Sequence, residues 1–161
     1  MKRRNFIALA GVGTALLPFA AFGEDQSKVY RVGLLASGPP IDVSAPRMAP
    51  LIRGLATRGY VVGKNLVVES RGAAGHVEKL PQLIDELVAA KIDVLVTFGY
   101  PPAVAAKQAG NVPTVAIFAG DPVGTRLVES LSRPGGTITG ISDVSVQVTP
   151  KRLELLKRMA P

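Results

Sequence analysis

Few residues of this 161-residue chain have side chains that commonly catalyse reactions or ligate metals. The absence of cysteine excludes a disulfide framework, a cysteine-ligated zinc, an iron–sulfur cluster and a thiol nucleophile. His76 is the single histidine, so a histidine-based metal site or a Ser-His-Asp triad would depend on it alone. We expect His76 to lie far from the loops described next and to act as a surface cap. We therefore expect no metal and no cofactor.

Three loops carry most of the remaining chemistry, and each follows a predicted buried strand. They are Ser37-Gly38-Pro39, Gly99-Tyr100-Pro101 and Gly120-Asp121-Pro122. The candidate ligand-binding residues are Ser37, Gly38, Gly99, Tyr100, Pro101, Gly120 and Asp121.

Each candidate has a functional and a structural interpretation. Gly38 and Gly99 would let a ligand approach the backbone, and the N–H groups of the helix after Gly99 would form a small anion site. Tyr100 could stack on a ligand, and Asp121 could accept hydrogen bonds from an amine or a hydroxyl. Alternatively, the glycines serve turn geometry, Ser37 caps or is solvated, and Asp121 caps the short helix predicted after it.

Predicted strands and helices alternate from Val29 onwards. Short apolar, β-branched runs predict strands at 29–36, 66–69, 92–98, 112–119 and 137–141. Apolar side chains three and four residues apart, together with Pro and Gly signals, predict the intervening helices. These helices are expected from about 46–49 to Gly59, over 77–90, after Gly99, around 125–131, and from Thr149 or Pro150.

This order of elements predicts an α/β fold. Strands alternating with helices imply right-handed crossovers and a parallel sheet with helices on both faces. We predict a three-layer sandwich with a parallel five-stranded sheet in the flavodoxin-like order 2-1-3-4-5. Ligands of such sheets bind beyond the carboxyl ends of the strands, where the strand order reverses. The chain has no G-x-G-x-x-G, P-loop or G-x-S-x-G motif, which argues against a Rossmann cofactor site and a nucleotide site.

Residues 1–23 have the layout of a secretory signal peptide. Arg3-Arg4-Asn5-Phe6-Ile7 is similar to the twin-arginine motif of the Tat route, and it opens an apolar run that ends at Phe22. The alternative is a membrane anchor that is never cleaved, which Pro18 and the short span disfavour. We predict a periplasmic protein whose mature chain begins near Glu24.

The formal net charge of +7 is not concentrated in one patch. Removal of the leader leaves 16 basic against 12 acidic residues, a net charge of +4. The dense clusters that remain, Lys151-Arg152 and Lys157-Arg158, lie on one predicted helix, which is typical of a solvated face. Tryptophan is absent and aromatic residues make up only 5% of the chain, so we expect no nucleic-acid partner.

Several segments appear in an order that is familiar from one protein family. They are RVGLL at 31–35, GYVVGKNL at 59–66, DVLVT at 93–97, GDPVG at 120–124 and LSRPGGTITG at 131–140. Together with the exported start, they resemble the substrate-binding proteins of ABC transporters. The resemblance is to the tryptophan/tyrosine-type group, which has the periplasmic-binding-protein type I fold.

This resemblance implies a transport function. A small organic solute, for which an amino acid is one candidate, would be trapped between two α/β lobes and delivered to a permease in the inner membrane, without catalysis. Residues 24–161 are similar to the N-terminal lobe only and stop before the second lobe. The chain would then be a fragment, the product of a truncated gene, or one of two chains. Leu153, Leu156 and Met159 lack a predicted cover, so the isolated lobe is expected to self-associate.

Two other functional classes stay open. One is a small exported α/β enzyme, for which Ser37, Tyr100 and Asp121 are the available strand-end groups. The other is a truncated remnant that does not bind ligand.

Overall fold

A computed structural model describes residues 28–141 and 145–160. The strands are β1 (Tyr30–Ala36), β2 (Leu66–Gly72), β3 (Val94–Phe98), β4 (Thr114–Ile117) and β5 (Ile138–Ile141). The helices are α1 (Ala49–Ala56), α2 (Leu80–Ala89), α3 (Tyr100–Ala109) and α4 (Ser145–Met159). Short 3₁₀ helices at Pro46–Met48 and Val77–Lys79 lead into α1 and α2. The predicted signal peptide, residues 1–23, lies outside the described residues.

The five strands form one parallel sheet in the order β2-β1-β3-β4-β5, which confirms the predicted fold class and strand order. β1 lies between β2 and β3, and Ala36 is in register with both Gly72 and Phe98. The chain leaves β1 towards β2 on one side and reaches β3 on the other. The connections therefore diverge at the carboxyl ends of β1 and β3, which is where such sheets bind ligands.

The apolar run in β1 is buried because both faces of the sheet are covered there. Side chains alternate along a strand, so Leu34 and Leu35 point to opposite faces. Leu35 packs with Ile84 and Leu87 of α2, whereas Leu34 packs with Met48 ahead of α1. Burial of a leucine side chain contributes about 1.5–3 kcal/mol, so these contacts make β1 the centre of the core.

Three boundaries differ from the sequence prediction. The short helix expected around 125–131 is wrong: the chain makes turns there, and Arg126 has a φ of +57°, which a continuing helix does not allow. β2 continues to Gly72, because its last residues pair with β1. α4 begins at Ser145 rather than at Thr149 or Pro150 and includes Pro150. A proline removes only its own N–H from the helix, so a helix held at both ends can contain one.

The two faces of the sheet are covered unequally by the described residues. An apolar groove of about 450 Å³ lies beside α1 over β3 and β4, with Leu55, Tyr60, Val94 and Val115 among its lining side chains. The apolar side chains of α4 are also uncovered, and Met159 is 83% exposed. Within the described residues, no helix is both long enough and apolar enough to cross a membrane.

Gly72 is required where the loop after β1 passes the end of β2. A Cβ atom at Gly72 would lie 2.3 Å from the carbonyl carbon of Pro39 and from the nitrogen of Pro40. We expect Gly72→Ala to lower the free energy of unfolding by about 1–3 kcal/mol, because backbone atoms must move. Denaturant unfolding followed by circular dichroism measures this change.

Gly38→Ala is the matched control on the neighbouring loop. A Cβ at Gly38 would meet no atom within 4 Å, and its φ lies outside the left-handed range. We expect a change of less than about 0.5 kcal/mol. Equal losses in the two variants would contradict the close approach at Gly72.

Candidate functional site

The strand register places four residues in a row along the carboxyl edge of the sheet. Ala73, Ser37, Gly99 and Phe118 directly follow Gly72, Ala36, Phe98 and Ile117, which are mutually in register. Two backbone hydrogen bonds extend the pairing past the strands. The Ala73 N–H donates to Ala36 O at 3.0 Å, and the Gly99 N–H donates to Ile117 O at 2.8 Å. Adjacent strands are about 4.8 Å apart, so a ligand the size of an amino acid could span three of these four positions.

The loop after β2 holds the predicted Ser37-Gly38 loop in place. The Gly75 N–H donates to Ser37 O at 2.7 Å, and the Ala74 N–H donates to Gly38 O at 2.8 Å. Both carbonyls on the β1 loop are therefore engaged within the protein. Sequence reasoning did not assign this loop to the site. The signal was the run of small residues at 72–75, which lets two loops pack together.

Gly99 occupies a backbone conformation that side chains rarely adopt. Its φ is +95° and its ψ is 173°, a region populated almost only by glycine. The structural interpretation of Gly99 is therefore correct, whether or not a ligand also contacts it. A Gly99→Val variant would strain the backbone, so any loss of binding in that variant would not report on ligand contact.

The start of α3 offers fewer N–H donors than the sequence analysis expected. Pro101 and Pro102 occupy the second and third positions of the helix and have no N–H. The donors of the first turn are therefore Tyr100 and Ala103, and Ala103 is fully buried. An anion at this end of α3 would depend chiefly on the Tyr100 N–H, beside a side chain that is 40% exposed.

Asp121 organises the turn that follows β4. Its Oδ1 accepts hydrogen bonds from the N–H groups of Val123 at 3.2 Å and Gly124 at 2.9 Å. Its carbonyl accepts from the N–H of Thr125 at 3.1 Å and from the hydroxyl of Thr125 at 2.6 Å. The carboxylate thus caps a turn where the sequence analysis expected it to cap a helix. Gly120, just before it, has a φ of +72°.

Phe118 is a candidate that sequence reasoning missed. It was assigned to the end of the fourth strand, within the apolar run at 112–119, and was therefore expected to be buried. In the structure β4 ends at Ile117, and the Phe118 side chain is 63% exposed. Its φ is +57°, in the left-handed region. A short strand and a backbone reversal leave no residue signature that separates this residue from its buried neighbours.

His76 lies at the carboxyl edge of the sheet, so the expectation that it lies far from the candidate loops is wrong. It follows Gly75, whose N–H contacts Ser37 O, and it precedes the 3₁₀ helix as its N-cap residue. Its ring makes no capping hydrogen bond; Nδ1 lies 3.0 Å from Oε1 of Glu78. The N–H of Glu78 itself and the His76 ring both hold the pKa of the Glu78 carboxyl below its usual value.

Local hydrogen bonds also satisfy Asp42, in the loop that leads from β1 to α1. The Ser44 hydroxyl donates to Oδ1 at 2.7 Å, and the Ser44 N–H donates to it at 2.8 Å. The hydroxyl first, and then the N–H, lower the pKa of Asp42 below its ordinary value. Within the described residues, no three acidic or histidine side chains are grouped as metal ligands would be.

The sequence of the chain places it in a family. A profile of the family described as "ABC transporter substrate binding protein" matches residues 43–161. The chain belongs to this family. The resemblance stated from the sequence segments is therefore confirmed.

Individual relatives agree with this assignment. The chain is 30% identical over 141 residues to a "Tyrosine-binding protein" of Clostridioides difficile strain R20291. That match covers 85% of this chain and 39% of the relative, so the chain spans about two fifths of the relative's length.

Two solved structures extend the comparison. A "conserved domain protein" from Vibrio cholerae superposes with a TM-score of 0.72 at 33% identity, covering 83% of this chain and 45% of that one. A Streptococcus pneumonia ABC domain solved in complex with L-Trp gives a TM-score of 0.58 at 27% identity, covering 71% of this chain and 39% of that one. The matched proteins whose names state a function are solute-binding proteins.

The geometry around Asp121 predicts a stability effect that is independent of any ligand. Asp121→Ala removes the acceptor of two N–H groups and should lower the free energy of unfolding by about 1 kcal/mol, as loss of a capping side chain does. Asp121→Asn keeps an Oδ1 acceptor and should retain most of that stability. Thermal unfolding of both variants measures this. An Ala variant as stable as the wild type would contradict the turn-capping role.

Proposed function

We propose that this chain is part of the solute-binding component of an ABC-type importer, and that it captures an amino acid at the carboxyl edge of the sheet. The observation that carries the proposal is the family match over residues 43–161. The names of two relatives, one tyrosine-binding and one solved with L-Trp, support an amino acid as the solute.

In this proposal the solute's carboxylate contacts the N-terminal end of α3. The helix dipole places partial positive charge there, and the Tyr100 N–H is the exposed donor of the first turn. Ser37 and Gly99 lie side by side where the strand order reverses, which supplies a short polar floor. The binding groups are fixed by strand register rather than by mobile side chains, which keeps the entropic cost of ordering them low.

Binding without catalysis is also part of the proposal. The imidazole of His76 faces Glu78, and no hydrogen bond joins it to the Ser37 hydroxyl among the described residues. The carboxylate of Asp121 already accepts two N–H groups. The strand-end groups available for nucleophilic or general-base chemistry are thus committed to holding their own loops.

The proposed site of action is the periplasm, with a membrane permease as the partner that receives the solute. Support comes from the layout of residues 1–23, with Arg3-Arg4 ahead of an apolar run. A second lobe would face the loops described above, as the length of the relatives suggests. It would desolvate the solute from the other side.

Ligand titration of residues 24–161 tests the binding proposal. One half of a site makes about half of the hydrogen bonds, each worth about 0.5–1.5 kcal/mol, so we expect millimolar affinity for amino acids. Saturation-transfer NMR detects such weak binding, with D-glucose and adenosine as negative probes. Absence of binding by every amino acid, or binding of the sugar alone, would contradict the proposal.

A pair of variants at position 100 isolates the N–H donor. Tyr100→Ala removes the side chain but keeps the N–H, whereas Tyr100→Pro removes both and is tolerated at the first position of a helix. We expect the proline variant to bind the amino acid about tenfold or more weakly than the alanine variant, because a charge-assisted hydrogen bond is lost. Equal affinities would show that the carboxylate binds elsewhere.

Export is tested on the chain with its N-terminus intact. Replacing both arginines, with Arg3→Lys and Arg4→Lys, should abolish appearance in the periplasm, because the twin-arginine pair is what the Tat route recognises. Cell fractionation and mass spectrometry of the N-terminus, expected near Glu24, measure this outcome. Undiminished export of the double variant would show that the Sec route suffices.

A further inference from the structure

The exposed aromatic residues of the described chain are gathered at one place. Residues 28–141 and 145–160 contain five aromatic side chains. Tyr30 and Tyr60 pack edge-to-face with ring centroids 5.0 Å apart, and Phe98 packs against the core beneath α1. The other two, Tyr100 and Phe118, are 40% and 63% exposed. Both follow the carboxyl ends of adjacent strands.

Backbone pairing fixes the positions of these two residues relative to each other. Phe98 and Ile117 are in register across β3 and β4, and the Gly99 N–H donates to Ile117 O at 2.8 Å. Phe118 therefore starts beside Gly99, and Tyr100 is the next residue along. The two aromatic residues border the point where the proposed carboxylate site begins.

Phe118 is held in an unfavourable conformation. A φ of +57° costs a residue with a Cβ about 1–2 kcal/mol, and a glycine at this position would avoid that cost. The exposed ring recovers little of it through burial. A strained, exposed aromatic residue at a binding edge is the kind of outlier from which a function can be inferred.

We propose that Phe118 is a specificity-determining residue that, together with Tyr100, contacts the side chain of the solute and selects aromatic amino acids. Planar side chains gain about 0.5–1.5 kcal/mol per aromatic contact beyond the burial of apolar area. A branched aliphatic side chain of the same solute class gains only the burial. The inference rests on the proposed function, because it assigns a side-chain subsite to the proposed amino-acid site.

The test compares L-tryptophan with L-leucine on three proteins: the wild type, Phe118→Gly, and Leu131→Ala as a matched control. Leu131 is also a large, exposed apolar residue, at 67% exposure, but it lies outside the strand-end row. Affinity is measured by NMR titration, and thermal stability is measured on the same samples. The glycine variant removes the ring and relieves the left-handed strain together.

We expect Phe118→Gly to weaken L-tryptophan binding about tenfold and L-leucine binding less than twofold, without lowering the melting temperature. Leu131→Ala should change neither affinity. A purely structural role predicts the reverse pattern, with lower stability and unchanged discrimination between the two amino acids.

Two negative results have different meanings. If the wild type binds both amino acids and Phe118→Gly weakens them equally or not at all, the specificity role of Phe118 is overturned and the proposed function stands. If the wild type binds neither amino acid while the fold is intact, the proposed amino-acid site fails and the inference fails with it.

Discussion

The parallel pairing of β1 with β2 on one side and β3 on the other is the constraint on which the rest of the structure depends. Ala36 is in register with Gly72 and Phe98, although the three residues are far apart in sequence. The pairing persists because Leu34 and Leu35 are buried on opposite faces, and a one-residue slip would exchange those faces. The alignment of the strand-end loops is thus a by-product of core packing.

At the carboxyl edge, the backbone adopts conformations that regular strands and helices do not. Gly99, Gly120, Ala74 and Phe118 all have positive φ there. Each reverses the chain directly after a strand and so keeps the loops short and close to the sheet. The glycines do so at little steric cost, whereas Phe118 does not, and this contrast separates a structural from a functional interpretation of the same backbone geometry.

The fold could be predicted from the sequence because it depends on apolar patterns that are visible there. The run at 92–98, the alternation of strands and helices, and the small residues at loop starts determine strand order and place Ser37 beside Gly99. Details that depend on tertiary contacts could not be predicted. Phe118 looks like strand, and the segment around Arg126 looks helical until the turn held by Asp121 is known.

The candidate site was predictable in position but less so in chemistry. Its loops could be placed by topology, whereas the donors actually available depend on which groups the protein already uses. Two prolines remove N–H groups from α3, and Asp121 and the carbonyl of Ser37 are bonded within the chain. His76 was placed wrongly because the length of β2 decides where its loop begins.

The central claim is that the solute binds at the carboxyl edge of the sheet. Its most direct test is a titration of isotope-labelled protein with L-tryptophan, followed through the backbone amide signals. The account predicts that the largest shifts occur at Ser37, Tyr100 and Phe118. Shifts that instead cluster at Leu55 and Val94, in the apolar groove beside α1, would contradict it.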